Sequence, residues 1–353
     1  MTPILTEVPE TLAVLVSSLR RLATAIHAAD PLGADWALRL TVSHKLYACY
    51  DTLRCADRPF ERQRFSRQLE AVERTLRSAG GAERPPEEPQ PAASPEAVVA
   101  DLYSRCWSHY GDREFLATAE LFQERFQLNG ISVEFLRGAA CLDAGCGSGR
   151  YTVAMARLGA RQVTGLDLGE RVVREAEERS RRLDMGDEVR FCQGSVLALP
   201  AAWTGVFDFV CSNGVLHHTT NPLLGLQEIA RVLKPGGRAY VFVYGAGGLF
   251  WELVDVIRAL VTPVPLAKAE EWLVRAGLPP GKLFNFLDHW YTPIQERITR
   301  QECESRLHRC GFTELRFMPR AKVYDASERR VRFPEERDLI GEGDLRYLVE
   351  KPA

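Results

Sequence analysis

CLDAGCGSGR, residues 141–150, joins a short apolar run to an acid and three alternating glycines. Residues 151–158 then have a helical composition, so this part of the chain predicts a strand, a tight turn and a helix N-terminus. Glycines permit positive φ angles and let the backbone approach a ligand closely. The G-x-G-x-G spacing differs from the dinucleotide fingerprint G-x-G-x-x-G. Asp143 would repel a pyrophosphate and attract an ammonium or sulfonium centre.

Strands and helices alternate from residue 138 onward, which is typical of a parallel sheet with helices on both faces. The predicted strands lie near residues 140–145, 162–167, 189–194, 207–213 and 238–244. The predicted helices between them lie near residues 148–158, 169–183 and 222–233. Their short connections fit right-handed crossovers, so the pattern predicts an open α/β sheet.

Five stretches, in this order, resemble the motifs of class I S-adenosylmethionine-dependent methyltransferases that act on small molecules. They are LDAGCGSG (142–149), TGLDL (164–168), FCQGSVLALP (191–200), FDFVCSNGVLHH (207–218) and EIARVLKPGG (228–237). The resemblance implies a Rossmann-like sheet, mostly parallel with an antiparallel last strand. It also implies that residues 312–318 and 344–350 form the final antiparallel pair.

The same resemblance implies S-adenosylmethionine as the cofactor and gives roles to residues of the motifs. Gly145 and Gly147 would bring backbone N–H groups to the methionine carboxylate, and Asp143 would lie near the ammonium. Asp167 would accept hydrogen bonds from the ribose hydroxyls. The remaining candidate cofactor-binding residues are Leu168 against the adenine, Ser195 where the family usually has an acid, Val196 through its backbone N–H, Asn213 at the end of the fourth strand, and Tyr103 in the helices before the first strand.

The implied reaction is direct displacement at an activated methyl carbon, so the protein mainly aligns the reactants, an effect worth about 7–11 kcal/mol. A base is needed only if the acceptor carries a proton. His218, His217 and His289 are the candidate catalytic residues. Tyr110, Trp290 and Tyr291 are the candidate substrate-binding residues, although large aromatic residues more often pack in a core. Residues 212–215 lack the Asn/Asp-Pro-Pro-aromatic signature of enzymes that methylate base or glutamine amines.

The amino-acid composition limits which partners and which cellular compartment are expected. The 45 Lys and Arg and 47 Asp and Glu give a formal net charge of −2, which provides no overall attraction to nucleic acid or membrane. The nine cysteines form no C-x-x-C pair, which favours a reducing cytoplasm and argues against a disulfide scaffold or a metal site. Neither a signal peptide nor a run of about 18 apolar residues is present, so no membrane association is expected.

The chain is predicted to have three parts. Residues 1–78 read as a helical module with a role in either homodimerisation or substrate gating, and residues 79–95 as a disordered linker rich in Pro, Glu and Ala. Residues 96–353 read as the methyltransferase domain, with an insertion over residues 246–298 after the fifth strand. An insertion at the carboxyl end of a strand lies where open sheets bind ligands, so we interpret it as a substrate lid.

The leading functional hypothesis is methyl transfer from S-adenosylmethionine to a small molecule, with the acceptor atom (O, N, S or C) left open. One alternative is a methyltransferase fold that uses the cofactor for another reaction, such as cyclisation. Another is a non-catalytic scaffold, which the intact glycine motif and Asp167 disfavour. A nicotinamide oxidoreductase is disfavoured by the glycine spacing.

Overall fold

The structure is a computed structural model, and it describes residues 10–29, 35–77 and 94–353. The predicted linker, residues 79–95, lies outside the described residues except at its end. There the Ser94 hydroxyl accepts a hydrogen bond from the Ala97 N–H at 3.2 Å, and Pro95 begins a helix. Proline fits the first helical position because its φ is fixed and it has no N–H that would need a partner.

Helices flank the strands throughout the central part of the chain, as the alternation predicted. The elements in chain order are α1 (Glu10–Ala29), α2 (Trp36–Arg54), α3 (Arg62–Arg77), α4 (Pro95–Ser108), α5 (Asp112–Leu128), β1 (Ala140–Ala144), α6 (Arg150–Arg157), β2 (Gln162–Asp167), α7 (Glu170–Arg182), β3 (Val189–Gln193), β4 (Phe207–Asn213), α8 (Pro222–Val232), β5 (Leu233–Tyr244), α9 (Leu249–Val261), α10 (Leu266–Arg275), α11 (Pro280–Tyr291), α12 (Arg300–Arg309), β6 (Glu314–Phe317), α13 (Ala326–Arg332), α14 (Arg337–Ile340) and β7 (Asp344–Glu350). Within the described ranges, none of these helices combines the length and apolarity that a bilayer span requires.

The seven described strands form one sheet in the order β3-β2-β1-β4-β5-β7-β6. Strands β1 to β5 pair in parallel, and β7 runs antiparallel to both β5 and β6. The predicted Rossmann-like sheet with an antiparallel last strand is therefore confirmed. The chain order reverses between β1 and β4, and open sheets bind ligands at the carboxyl ends of the strands beside such a reversal.

Both faces of the sheet are buried. Cys141 packs into one apolar cluster and Leu142 into another, because successive side chains of a strand point to opposite faces. The first cluster includes Phe126 of α5, and the second includes Ile229 of α8. Every residue of β1, Ala140–Ala144, is buried, as expected for a central parallel strand that carries the ligand-binding turn at its end.

The chain divides into two compact units. The sheet unit comprises residues 93–245, 292–321 and 344–353. The helical unit comprises the described residues up to 77, together with residues 246–291 and 322–343. The N-terminal helices therefore share a unit with most of the segment interpreted as a lid.

This grouping differs from the predicted division into a module over residues 1–78 and a domain over residues 96–353. Helices α1 and α2 pack on α9, which belongs to the segment 246–298. Nine of the thirteen residues of α9 are buried, and a helix that is apolar on most sides needs other helices around it. Periodicity within one helix does not reveal which distant segment covers it, so the sequence alone did not predict this association.

A buried ion pair joins the N-terminal helices to the last segment of the helical unit. Arg329, whose side chain is 1% exposed, pairs with Glu336 and donates to the carbonyl oxygens of Thr52 and Cys55. Glu336 also accepts a hydrogen bond from the Phe60 N–H at 2.6 Å. Since the carbonyls at the end of α2 lack partners within the helix, the Arg329 guanidinium satisfies them and complements the helix dipole.

Candidate active site

The glycines of residues 141–150 form the turn between β1 and α6. Gly145 and Gly147 have φ angles of 86° and 52°, which side-chain-bearing residues rarely adopt. A Cβ atom at Gly145 would lie 2.3 Å from a Val215 methyl group, and one at Gly147 would lie 2.5 Å from Trp107 Nε1. Both positions therefore require glycine for backbone shape and for space.

Hydrogen bonds hold this loop against the end of β2. The N–H groups of Gly145 and Cys146 donate to the Leu166 carbonyl oxygen at 2.8 and 3.0 Å. The N–H of Gly147 donates to the Asp167 carboxylate at 2.8 Å. A carboxylate offers about four lone-pair sites, so Asp167 keeps acceptor capacity for further donors such as vicinal hydroxyls.

Asp143 is 2% exposed at the start of the same turn. Its Oδ2 accepts a hydrogen bond from Thr152 Oγ1 at 2.7 Å. Burial raises the pKa of Asp143 to about 7, although the hydrogen bond from Thr152 and the charge of Arg150 oppose that rise. A cation bound nearby would favour the ionised carboxylate, and the predicted role beside the methionine ammonium stays a prediction.

The predicted adenine-side residues follow the ends of β2 and β3. Leu168 is 39% exposed, so its side chain is accessible directly after Asp167. Ser195 Oγ accepts a hydrogen bond from the Leu197 N–H at 3.1 Å, which places the hydroxyl in a local turn. Val196 is buried in the apolar core. Their contacts with a cofactor stay predictions.

Asn213, the last residue of β4, belongs to a polar cluster. Its Oδ1 accepts a hydrogen bond from Arg125 Nη1 at 2.8 Å. The same Nη1 lies 3.0 Å from the Tyr151 hydroxyl and 3.2 Å from the Tyr240 hydroxyl. These bonds fix the orientation of the Asn213 amide, and its predicted part in the cofactor pocket remains a prediction.

His218 follows β4, and its tautomer follows from one hydrogen bond. Its Nδ1 lies 2.8 Å from the Ile294 carbonyl oxygen. A carbonyl oxygen can only accept, so Nδ1 carries the proton and Nε2 of the neutral ring holds a lone pair. The His218 ring lies 5.5 Å, between centroids, from each of the Tyr103 and Tyr244 rings. Tyr103, a predicted cofactor contact, and Tyr244, which the sequence did not single out, both lie beside His218; the contact of Tyr103 with a cofactor stays a prediction.

His217 has different surroundings from His218. It is 1% exposed, and its ring stacks on Tyr244 with 3.8 Å between centroids. Its carbonyl oxygen accepts a hydrogen bond from the Glu296 N–H at 2.9 Å. These contacts favour a role for His217 in shaping the loop over a role in proton transfer.

Helix α4 brings a residue to the glycine loop that the sequence did not single out. Trp107 lies one helical turn after Tyr103 and covers Gly147. Tyr110, a predicted substrate contact, is 9% exposed and packs on Trp107 with 5.3 Å between centroids. The i, i+4 spacing of Tyr103 and Trp107 was the signal that could have identified Trp107.

His289, Trp290 and Tyr291 end α11 in the helical unit. His289 is 4% exposed, and its Nδ1 lies 2.9 Å from the Tyr50 hydroxyl. Trp290 packs edge-on against Phe286 with 3.6 Å between centroids, and burial raises the pKa of Tyr291. These are the surroundings of a packed core, which is the other interpretation the sequence allowed. A catalytic role for His289 and substrate contacts for Trp290 and Tyr291 stay predictions.

The edge formed by β1, β2 and β4 brings together most of the residues that the motif resemblance assigns to S-adenosylmethionine. The loop is held open by glycines at positions that exclude a Cβ atom. Ser148 Oγ is buried there without a hydrogen-bond partner among the described residues. Asp167 retains lone pairs at the end of β2, so polar groups with unused hydrogen-bonding capacity lie at this edge, and their contacts with a cofactor stay predictions.

Comparisons with known proteins agree with this geometry. A family model described as a methyltransferase domain matches residues 142–241. The chain is similar to the ubiquinone biosynthesis O-methyltransferase of Pectobacterium atrosepticum, with 31% identity over 56% of this chain and 78% of that protein. It is also similar to the protein of the same name from Vibrio cholerae, with 33% identity over 64% of this chain and 82% of that protein.

A solved structure, the 1,6-didemethyltoxoflavin-N1-methyltransferase of Burkholderia thailandensis with bound S-adenosylhomocysteine, is 22% identical to this chain. The structural alignment covers 75% of this chain and 94% of the solved chain, with a TM-score of 0.43. The two O-methyltransferases exceed 30% identity, and the chain covers more than two thirds of each. The chain therefore belongs to the class I S-adenosylmethionine-dependent methyltransferases.

Proposed function

We propose that this methyltransferase methylates a hydroxyl oxygen of a small molecule, with His218 as the general base. The observation that carries the proposal is the 2.8 Å contact between His218 Nδ1 and the Ile294 carbonyl oxygen. Because Nδ1 holds the proton of the neutral ring, Nε2 is the atom that takes the proton from the hydroxyl group that is methylated. When bound, S-adenosylmethionine supplies a methyl group that its sulfonium centre has already activated.

A hydroxyl acceptor makes the base necessary, since its proton must leave as the oxygen gains the methyl group. A positioned base contributes typically about 10²- to 10⁴-fold to the rate. The relatives from Pectobacterium and Vibrio are named O-methyltransferases, which supports oxygen as the acceptor atom in this chain as well.

We assign the cofactor contacts to the edge that carries the glycine loop. Asp143 would bind the methionine ammonium and Asp167 the ribose hydroxyls. The N–H groups of Gly145 and Gly147, which were expected to bind the methionine carboxylate, already donate to the Leu166 carbonyl oxygen and to Asp167. The aromatic rings of Tyr103 and Tyr244, beside His218, would exclude water from the reacting atoms. Ring faces also attract cations by about 0.5–2 kcal/mol, which suits a sulfonium.

The test is to incubate the protein with S-adenosylmethionine that carries a ¹³C-labelled methyl group and a panel of phenols, alcohols, amines and thiols. NMR of the products identifies the atom that receives the label. We expect an O-methyl product, and we expect His218→Gln to lower turnover by about 10²-fold or more with unchanged affinity for S-adenosylhomocysteine.

His308→Gln is the matched control, because His308 Nδ1 also lies 3.0 Å from a backbone carbonyl oxygen, that of Phe312, on the exposed side of α12. It should leave turnover unchanged. A label found only on N, S or C, or full turnover in the His218 variant, would contradict the proposal.

We further propose that the segment over residues 246–298, which follows β5 in the chain, acts as a substrate lid and takes part in choosing the acceptor. Turnover across the acceptor panel with His289→Ala tests this point, and an unaltered product profile at normal stability would contradict it. The homodimer through the N-terminal helices, the absence of a nucleic-acid ligand and the cytoplasmic location stay predictions.

A further inference from the structure

Arg150 begins α6 directly after the third glycine of the loop, and two aromatic rings hold its guanidinium. The Arg150 Cζ lies 4.7 Å from the Trp107 ring centroid and 4.6 Å from the Tyr151 ring centroid. Trp107 is also the residue that covers Gly147. The half-buried Arg150 is therefore held in a fixed place beside the loop by cation–π contacts on two sides.

The position of this cation is electrostatically unfavourable for the isolated helix. A helix N-terminus carries a partial positive charge, which favours acidic residues in its first turn and disfavours basic ones. Among the residues that the structure describes, none accepts a hydrogen bond from the Arg150 guanidinium, which has five N–H donors. A cation that opposes the helix dipole and keeps its donors unused is suited to an anion that binds from outside the chain.

A second polar group in the loop also lacks a partner. Ser148 is 2% exposed, and its Oγ has no hydrogen bond to another described residue. Buried hydroxyl groups in folded proteins are nearly always hydrogen-bonded, so Ser148 Oγ can take a polar partner that binds at the loop. Ser148 and Arg150 are separated by one glycine, and both therefore lie where α6 begins.

We propose that Arg150, held between Trp107 and Tyr151, binds the carboxylate of the methionine moiety and makes the site selective for cofactors with an intact amino-acid end. The inference rests on the proposed function, because it requires the cofactor at the glycine loop. A guanidinium binds a carboxylate through two parallel hydrogen bonds, which adds geometry that backbone N–H groups alone do not supply. Asp143, seven residues earlier, would then face the ammonium of the same zwitterion.

The alternative is that Arg150 has only a structural role, in which its cation–π contacts hold α4 against α6. The two interpretations differ in which ligand they affect. S-adenosylhomocysteine carries the amino-acid end, and 5′-methylthioadenosine has the same nucleoside without it. A carboxylate-binding residue affects only the first ligand, whereas a packing residue affects both ligands, or neither, together with stability.

The experiment is titration calorimetry of both ligands with wild-type protein, Arg150→Met and Arg157→Met. Arg157 is the control because it lies on the same helix and is exposed. We expect Arg150→Met to weaken S-adenosylhomocysteine binding by about 10- to 100-fold, the scale of a hydrogen bond to a charged group, and to leave methylthioadenosine binding unchanged. Arg157→Met should change neither affinity.

Arg150→Lys keeps the charge and the apolar stem and loses the planar fork, so it provides a variant that preserves packing if the methionine variant fails to fold. Arg150→Lys should selectively weaken the binding of S-adenosylhomocysteine, and by less than Arg150→Met does. Equal losses for both ligands, or no loss for either, would overturn this inference alone. Wild-type protein that binds neither ligand would overturn the proposed function and this inference with it.

Discussion

The carboxylate of Asp167, the last residue of β2, accepts a hydrogen bond at 2.8 Å from the backbone N–H of Gly147, which lies in the loop after β1. A second bond, from the Gly169 N–H at 3.0 Å, holds the other carboxylate oxygen. Burial raises the pKa of Asp167, and these N–H donors oppose the rise. The end of β2 and the glycine loop therefore form one preorganised edge rather than two independent binding elements.

Asp143 gives a prediction about pH. Burial raises its folded-state pKa to about 7, above the value of about 3.9 in an unfolded chain. The folded protein thus retains a proton that the unfolded chain releases. The resulting stabilisation is fully present below the unfolded pKa and is lost as pH rises through the folded pKa. Relative to the Asp143→Asn variant, the free energy of unfolding of the wild-type protein should fall by up to about 4 kcal/mol between about pH 4 and pH 8. Urea unfolding measures this difference.

Asp208→Asn provides a control of opposite sign. Burial alone would raise the pKa of Asp208, but hydrogen bonds from Lys234 and from the Ala140 N–H lower it overall. The stabilisation from Asp208 is therefore present above its unfolded pKa and lost as pH falls through the folded value. If the stability difference between wild type and Asp143→Asn does not change with pH, the assignment of a raised pKa to the buried Asp143 is wrong.

The buried pair of Arg329 and Glu336 gives a prediction about the helical unit. Arg329→Met leaves the Glu336 carboxylate without its cation and the carbonyls at the end of α2 without a donor. We expect the free energy of unfolding to fall by about 3–5 kcal/mol, as for other buried ion pairs that lose one partner. Four of the six tryptophans lie in this unit, so tryptophan fluorescence during urea unfolding reports on it.

Glu70→Gln is the matched control for that experiment. Glu70 and Arg74 form a 3.9 Å pair in the helical unit with side chains 61% and 69% exposed. Removing such an exposed pair should cost less than about 1 kcal/mol. Equal effects of the Arg329 and Glu70 substitutions would contradict the claim that the buried pair joins the N-terminal helices to the rest of the unit.

Truncation removes the N-terminal helices from the rest of the helical unit. A chain that begins at Pro95 keeps the residues that we assign to the cofactor and loses the helices that cover α9. We expect it to bind S-adenosylhomocysteine, and also to bind an apolar dye strongly because the buried side of α9 becomes exposed. Loss of S-adenosylhomocysteine binding would show that the N-terminal helices are needed for the cofactor site.

The sheet unit could be predicted from the sequence because its signals are local. Strand β2 was expected over residues 162–167 and spans Gln162–Asp167. Helix α12 shows the same local control, because the Thr299 hydroxyl accepts a hydrogen bond from the Glu302 N–H, three residues on, at 3.2 Å. Gly311, with φ at 90°, follows the end of this helix. Each of these features depends on residues a few positions apart.

The helical unit could not be predicted in the same way because its core joins distant segments. The contact of Tyr50 with His289 spans 239 positions, and no periodic pattern connects them. The same limit applies to the glycine loop. The motif identified Gly147, but the covering ring of Trp107 depends on how α4 packs, which only the tertiary structure provides.

We expect the edge formed by Asp167 and the glycine loop to bind the cofactor. Titration of S-adenosylhomocysteine into wild-type protein and into Asp167→Asn tests it most directly. Asp208→Asn is the control, since Asp208 lies near the start of β4, at the other end of the strand, and bonds to Lys234 and to the Ala140 N–H. We predict binding with one site per chain, weakened by about 1.5–3 kcal/mol in the Asp167 variant and less in the control. Equal affinity of wild type and Asp167→Asn, with both folded, would contradict the account.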